Sequence, residues 1–488
     1  YETTSFAMAS EGFPVPNSTL PFWRTEPHQL DSHRTTPDLP TESDIVIIGA
    51  GFSGASLAHF IYEDNPSPPS VTILEAREAC SGATGRNGGH MKPDVYFNVP
   101  KYIKKYGVKD AVEVAAYETS HLFAVKELVE KEDIDCDFVM TRACDATLDP
   151  TMAKDSHDAY MELTKSGVAN LKDVYHAYGK DAEQVSLSYL VPTDIMPRVC
   201  KILTRNHHTG FRCQGSAIVF YLFGCSPLAI QAGAPSLTGC RETGANLQTH
   251  TPVTHVSESP LPDGRWLVTT DRGSIKAKKV LLATNGYTAK IAPQFKDHIV
   301  PVRGICSHIV PDKTRRAPFL PYSYSIRHGP AMYDYLIPRT DGSIIVGGAR
   351  VKFWEEPSHW YNVADDSKLI EPAKTHFDEF MQRTFFGWED SGAKVDKLWT
   401  GIMGYSSDFM PHVGAVPGKP GQMVLAGFSG HGMPLILRSA KGIVDMLRHG
   451  KKFEETGVPE VYQVTQKRLE STNNEILGGG HGNVRAKL

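Results

Sequence analysis

The chain has 488 residues, 41% hydrophobic and 22% charged, with a formal net charge of −4. That length divides into two or three domains with ample buried interior, and the balanced charge argues against a nucleic-acid partner. The apolar run Ser216–Leu228 is broken by Gly224 and falls short of the roughly 18 to 20 residues a spanning helix needs, so no membrane span is expected.

Residues 1–43 are rich in Pro, Ser and Thr, with Phe22-Trp23 embedded, and read either as an extended arm pinned by its aromatics or as simple disorder. Asp44–Ile48 is a β-branched run entering a glycine turn. A helix over Ala55–Tyr62, a proline-rich loop and a strand over Val71–Leu74 complete a βαβ unit. Residues 100–200 read as mainly helical, with Lys109–Lys131 the best example, and Ser236–Thr243 as a short helix. Strands are expected near Leu247–Val256, Trp266–Thr270 and Lys279–Ala283, then over His298–Val310 and Tyr333–Gly348, where Asp341-Gly342 signals a hairpin. A helical region over Thr375–Trp388 leads to Trp399–Gly404, Met423–Ala426, a glycine turn and a helix over Leu435–His449.

Signals for a nucleotide-binding sheet thus recur at the start, middle and end of the chain. They imply a discontinuous dinucleotide domain over 44–100, 225–297 and 391–450. A substrate domain over 101–224 and 298–390, and a tail over 451–488, account for the rest. Eight cysteines (Cys80, Cys136, Cys144, Cys200, Cys213, Cys225, Cys240, Cys306) show neither a CxxC pair nor zinc spacing, so free thiols and no metal site are expected.

Three segments carry chemistry. Gly49-Ala50-Gly51-Phe52-Ser53-Gly54 lies between a predicted strand and helix, where glycines permit a tight turn and the helix start faces a pyrophosphate. Glu75, at the end of the next strand and followed by Ala76 and Arg77, is placed to bond a ribose hydroxyl. In Ser81-Gly82-Ala83-Thr84-Gly85-Arg86-Asn87-Gly88-Gly89-His90 the many small residues suit backbone lying close against a flat ligand, or else a flexible glycine-rich loop. Gly430-His431-Gly432-Met433 precedes the helix that begins near Leu435, and a helix start stabilises developing negative charge. His431 adds a donor or cation there, or is a solvent-exposed helix-start histidine.

The loop ending at His90 resembles the flavin-contacting loop of the glycine oxidase, sarcosine oxidase and γ-glutamylputrescine oxidase relatives of D-amino-acid oxidase. The resemblance runs from about residue 44 to about residue 450. Thr251-Pro252-Val253 is similar to the strand that meets the adenine, and Lys279–Ala283 with Thr284-Asn285-Gly286-Tyr287 to the strand and turn closing the cofactor domain. Pro301-Val302-Arg303-Gly304 is similar to the entry into the substrate-domain sheet. Trp399-Thr400-Gly401 with Tyr405, Asp408, Pro411 and Gly414, then Ala426–Met433, is similar to the C-terminal flavin motif.

The resemblance implies an α/β fold with a discontinuous Rossmann-like FAD-binding domain of the glutathione-reductase type. An α+β substrate domain on a mainly antiparallel sheet is inserted into it. It further implies FAD, a small-molecule amine or amino-acid-like substrate, hydride transfer from the carbon beside nitrogen to flavin, and O2 as acceptor with H2O2 as product. A dehydrogenase or oxidative-cyclisation enzyme with another acceptor, and a non-catalytic dinucleotide-binding protein, are the alternatives.

His90 is open to three readings: a packed histidine, an acid/base or substrate contact, or a covalent tether to FAD. Tyr335 and Tyr405 suit a pocket for a neutral amine, and equally ordinary packing. Where the sarcosine oxidase branch has its flavin-linked cysteine, its oxygen-activating lysine and its carboxylate-gripping arginine, this chain has Met403, Ile345 and Gly89. Arg303 or Arg350 is left to substitute for the arginine. The terminal Ala486-Lys487-Leu488 resembles the Ser-Lys-Leu peroxisomal address, with the cytoplasm as the other expectation.

Overall fold

The β-branched run Glu42–Ile48 pairs in parallel with Val71–Leu74 on one side and with Gly273–Leu282 on the other. The computed structural model describes residues 12–26, 28–167, 171, 174–178, 217–221, 225–226, 244–329 and 331–478. The expected helix Ser236–Thr243, part of the run 216–228, the terminal tripeptide, and Cys200, Cys213 and Cys240 lie outside the described residues. Cys80, Cys136, Cys144 and Cys306 are buried free thiols.

The first sheet has the order 412–415, 422–426, 273–282, 42–48, 71–74, 246–248, with the antiparallel strand 266–270 and its partner 253–256 attached to 273–282. Strand alternation sorts its side chains onto two faces. Ile45, Ile47, Ile73 and Leu425 pack with the helices Phe52–Tyr62 and Ile436–His449. Val46, Ile48, Leu282 and Val424 pack with Trp266, Val268 and Phe295 on the other side. A sheet covered on both faces needs apolar residues at every position, which is why these strands read as continuous apolar runs.

The helix Val108–Lys131 joins the first of these cores through Val114, Leu122 and Val125, although the sequence reading places it with the substrate domain. The stretch 100–200 is also less helical than expected. Its described part includes the strands Ala143–Thr147 and Val174–Tyr178 beside the helix Pro150–Ser166. Both strands enter a second sheet, of order 394–406, 299–310, 344–347, 332–338, 323–329, 143–147, 217–221, 174–178. It is antiparallel except where 323–329 meets 143–147.

Strand Lys394–Ser406 pairs with Ile299–Val310 along its whole length, so the segment 391–450 is shared between the two sheets. Cys225–Ser226 pairs with Val139–Met140, away from the first sheet. The expected hairpin at Asp341-Gly342 joins 332–338 to 344–347. Thr375–Trp388 contains only 3-10 turns and the short helix Phe380–Thr384, packed with Trp354, Trp360 and Phe377 against the second sheet.

Strand 42–48 and helix 52–62 are drawn together at Gly54, where a Cβ would lie 1.9 Å from the Gly49 carbonyl oxygen. Gly54→Val is therefore expected to destabilise the fold by at least the roughly 1–3 kcal/mol of an overpacked core. Thermal unfolding of the variant beside the parent checks this, and an unchanged midpoint would contradict the close approach.

Candidate active site

The two sheets meet around one cavity of about 510 Å³ that runs from the glycine turn to an aromatic chamber. At its nucleotide end lie Gly49, Gly51, Phe52, Ser53, Glu75, Ala76, Arg77, Val253 and Ala283. Gly49 has φ 106°, which favours glycine, and a Cβ there would meet the Ala283 carbonyl oxygen at 2.6 Å. Glu75 Oε2 accepts the Ala50 N–H at 2.8 Å and Oε1 the Arg77 N–H at 3.0 Å, so the acid fixes the turn while facing the cavity. Thr84 Oγ1 accepts the Phe52 N–H at 2.9 Å and ties the second glycine loop to the start of helix 52–62.

Gly82, Ala83, Thr84, Arg86, Asn87, Gly88 and His90 continue the wall. Within it Arg77 and Arg86 are structural clamps. Arg77 donates to both oxygens of Asp366 at 2.9 and 3.0 Å. Arg86 lies 3.2 Å from the same carboxylate and donates to the Ser81 carbonyl at 2.9 Å and the Thr400 carbonyl at 2.7 Å. Asp366 is fully buried, and nothing in the local sequence marks it out. Asn87 also serves the loop itself, donating to the Thr84 carbonyl at 2.8 Å and accepting the Gly89 N–H at 2.6 Å.

The described part of the arm, residues 12–26, lies over this loop. Arg86 donates to Ser18 and, at 3.1 Å, to Thr19; the Trp23 indole donates to the Asn87 carbonyl at 2.7 Å; Arg24 donates to the Ala79 carbonyl at 2.7 Å. Phe13 and Pro14 themselves line the cavity.

Thr284, Asn285, Gly286 and Tyr287 close the opposite wall beside Gly401. Asn285 Oδ1 accepts the Gly427 N–H at 3.0 Å, binding that turn to the C-terminal motif, and the Tyr287 hydroxyl is buried with no protein partner among the described residues. Gly430, His431, Gly432 and Met433 line the cavity next to Asn87, with Met433 Sδ 4.0 Å from its amide.

Four expected cofactor residues stand outside the wall. Gly54 serves strand–helix packing; Ser81 is buried and offers its carbonyl to Arg77 and Arg86; Gly89 bonds to Asn87. Asp408 is a correction of function: both its oxygens pair with Arg468, at 2.9 and 3.0 Å, and Arg468 binds the chain end back onto the sheet.

The chamber end is lined by Tyr333, Tyr335, Arg350, Trp354 and Tyr405. Tyr335 lies between Gly88 and Gly347, either of whose Cβ atoms would sit 2.3 Å from its ring, and its hydroxyl is 3.1 Å from Cys306 Sγ. Arg303 reaches the wall but spends its guanidinium on the His359 and Asp365 carbonyls, at 3.0 and 3.3 Å. Arg350 is buried, donates to the Tyr405 hydroxyl at 2.6 Å and stacks on Trp354 at 4.2 Å and Tyr333 at 4.7 Å. No carboxylate pairs with it among the described residues. The turn that delivers it is held by Asp334, which accepts the Ala349 N–H at 2.7 Å.

His90 Nε2 meets Ser323 Oγ at 2.8 Å, and burial together with Lys92 pushes the imidazole down to about 3, so the ring is neutral. Beside it Asp145 is fully buried, yet Lys92 and Arg327 hold its carboxyl down at about 2 against the effect of burial. The sequence reading did not single out Glu118, whose Oε2 lies 2.8 Å from His431 Nε2.

A parallel sheet with a glycine-turn groove, opening directly into an enclosed polar and aromatic chamber, defines a dinucleotide-dependent oxidoreductase. The model of the family described as FAD dependent oxidoreductase matches residues 44–446, and the chain belongs to that family. It is 24% identical over 450 residues to γ-glutamylputrescine oxidoreductase of Escherichia coli (strain K12), a match covering 91% of this chain and 93% of that protein. The crystal structure of glycine oxidase from Geobacillus kaustophilus superposes with a TM-score of 0.64 at 17% identity, over 87% of this chain and 99% of the other. An L-amino acid deaminase from Proteus vulgaris gives 0.62 at 16% identity, over 88% and 96%.

FAD is the cofactor, and the groove fits it: backbone fills the space a Cβ would need at Gly49, an acid stands at the strand end, and a helix start faces the cavity. Two outcomes test the groove. Gly51→Asp places negative charge at the helix start and is expected to yield colourless protein, read by absorbance after purification. Asp366→Ala leaves two buried guanidinium groups without their carboxylate, which is expected to cost about 3–5 kcal/mol in denaturant unfolding. A loss below about 1 kcal/mol, the range of a surface pair, would contradict the clamp.

Proposed function

We propose that the protein oxidises the C–N bond of an amine that carries an anionic group, an amino-acid-like substrate, with FAD as hydride acceptor and O2 as the final oxidant. The observation that carries this reading is Arg350. A buried guanidinium is costly unless an anion balances it, and this one lies at the chamber wall with a hydroxyl, aromatic faces and, at 3.4 Å, the Ala331 carbonyl as neighbours, all of them uncharged. An amine with a carboxylate supplies the missing charge and is oriented by it. The names of the relatives, an oxidoreductase of γ-glutamylputrescine and an oxidase of glycine, support amines and amino acids as the class.

FAD, when bound, accepts the hydride. The chain's residues position the donor and exclude water. Tyr333, Tyr335, Trp354 and Tyr405 enclose the chamber and favour the neutral amine, from which hydride leaves the carbon beside nitrogen as the nitrogen lone pair forms the imine. Loss of the nitrogen proton and attack by water complete hydrolysis to carbonyl and amine, so no dedicated base is needed. A neutral His90, bonded to Ser323, serves as wall and hydrogen-bonding group.

A dehydrogenase is the second reading. By the resemblance Ile345 corresponds to the oxygen-activating lysine of the sarcosine oxidase branch, and an aliphatic side chain in its place favours slow reaction with O2.

Anaerobic mixing with a panel of amines, with and without a carboxylate, tests the proposal. Flavin absorbance is expected to bleach with the carboxylate-bearing members, and to return with air as peroxide forms. Recovery only with an added dye would establish the dehydrogenase, and no bleaching by any amine would sink the substrate class. Arg350→Met is expected to lower kcat/KM for anionic amines by about 10- to 100-fold while uncharged amines change little.

A further inference from the structure

Glu118 stands on the helix Val108–Lys131 among residues that pack into the first core, and its side chain is only 2% exposed. Burying a carboxylate is costly without charge-balancing or hydrogen-bonding partners. Its Oε2 accepts the Asp94 N–H at 2.7 Å and meets His431 Nε2 at 2.8 Å. His431 is the one ion-pair partner Glu118 has among the described residues.

His431 belongs to the turn that lines the cavity next to Asn87, and 38% of its side chain is exposed. With Nε2–H directed at the carboxylate, the imidazolium keeps Nδ1–H as its second donor, and no partner for that nitrogen exists among the described residues. Four other ionisable groups act on the ring through charge: Asp94 and Lys92 from the segment after the glycine loop, His90 from the loop's end, and His121 from the helix that carries Glu118. Burial drives His90 down to about 3 and His121 down to about 4, so both are neutral. Burial opposes charge on His431 too, but Glu118 prevails and raises it.

We propose that Glu118 is a positioning residue that anchors His431 and keeps it cationic at the cavity wall, so that the cofactor site carries a localised positive charge where reduced flavin becomes negative. Neutral peptide dipoles at the turn supply part of such stabilisation, and a fixed cation in a water-poor cavity supplies more. The inference rests on the reading of His431 as a flavin-facing group, but not on any choice of amine.

Sulfite affinity of the bound flavin, followed against pH in the holoenzyme, reads that charge without any substrate turnover. Glu118→Gln keeps the shape and an acceptor while removing the charge. It is expected to weaken sulfite binding about ten-fold or more near pH 7.5, and to move the pH at which affinity falls downward by about one unit or more. Glu118→Asp is expected to restore part of both. His431→Ala should lose the same affinity, and adding Glu118→Gln to it should change nothing further.

Affinity and pH profile within about two-fold of the parent in a yellow Glu118→Gln protein, or additive losses in the double variant, would overturn the proposal. Should Glu118→Gln fail to retain flavin, Glu118→Ala, which also removes the charge, carries the test: a profile shifted downward supports the proposal and an unshifted one overturns it. If no amine reduces the flavin while sulfite still responds to Glu118, the substrate reading fails and this one stands.

Discussion

One buried carboxylate holds the cofactor loop to the rest of the molecule. Asp366 comes from a long irregular connection beside the second sheet, yet it grips Arg77, just ahead of the glycine-rich loop of the first, and Arg86, in the middle of that loop. Arg86 then reaches on to the Thr400 carbonyl in strand 394–406. A loop of small residues has little side-chain packing to define it and loses much conformational entropy on ordering. Here charge-assisted bonds from Arg77 at its entry and Arg86 at its middle replace that packing. The wall of the groove, the entry to the chamber and the contact between the two sheets all follow from this cluster.

The same arrangement changes the meaning of several glycines. Gly88 is denied a side chain by the Tyr335 ring, Gly401 by Arg86 and Gly404 by Asn285. These close approaches are between protein and protein, and they bring the loop, the second sheet and the C-terminal turn within reach of one ligand. The shape of the cavity thus comes partly from how tightly the chain packs on itself around the space. The chamber beyond is enclosed by aromatic residues on strands of the second sheet and on the turns beside it, rigid platforms for a small substrate.

Much of the first sheet was legible in the sequence because its signals are local. Val71–Leu74 appears as expected, Asp44–Ile48 lengthens by two residues, and the turn at Gly49–Gly54 sits where periodicity changes from two to 3.6. The helix Val108–Lys131 was visible as a helix, but its partner was not, since an amphipathic stripe shows that a face is buried and not against what. Strand 394–406 was misplaced because half of it carries the flavin motif while its ladder runs with 299–310. Asp366, Glu118 and the spent guanidinium of Arg303 were beyond reach for one reason: each owes its role to a partner distant in sequence, and a lone acid or arginine in a sequence carries no mark of what it meets.

The arm has a consequence for how the protein is to be regarded beside its relatives. The family match begins at residue 44, yet Ser18, Thr19, Trp23 and Arg24 supply hydrogen bonds to the cofactor loop and Phe13 and Pro14 part of its lining. A segment ahead of the family match therefore forms part of the cavity wall. Removing that segment would strip the loop of these hydrogen bonds and open the cavity wall at Phe13 and Pro14, so the groove is shaped from outside the βαβ unit as well as from within it.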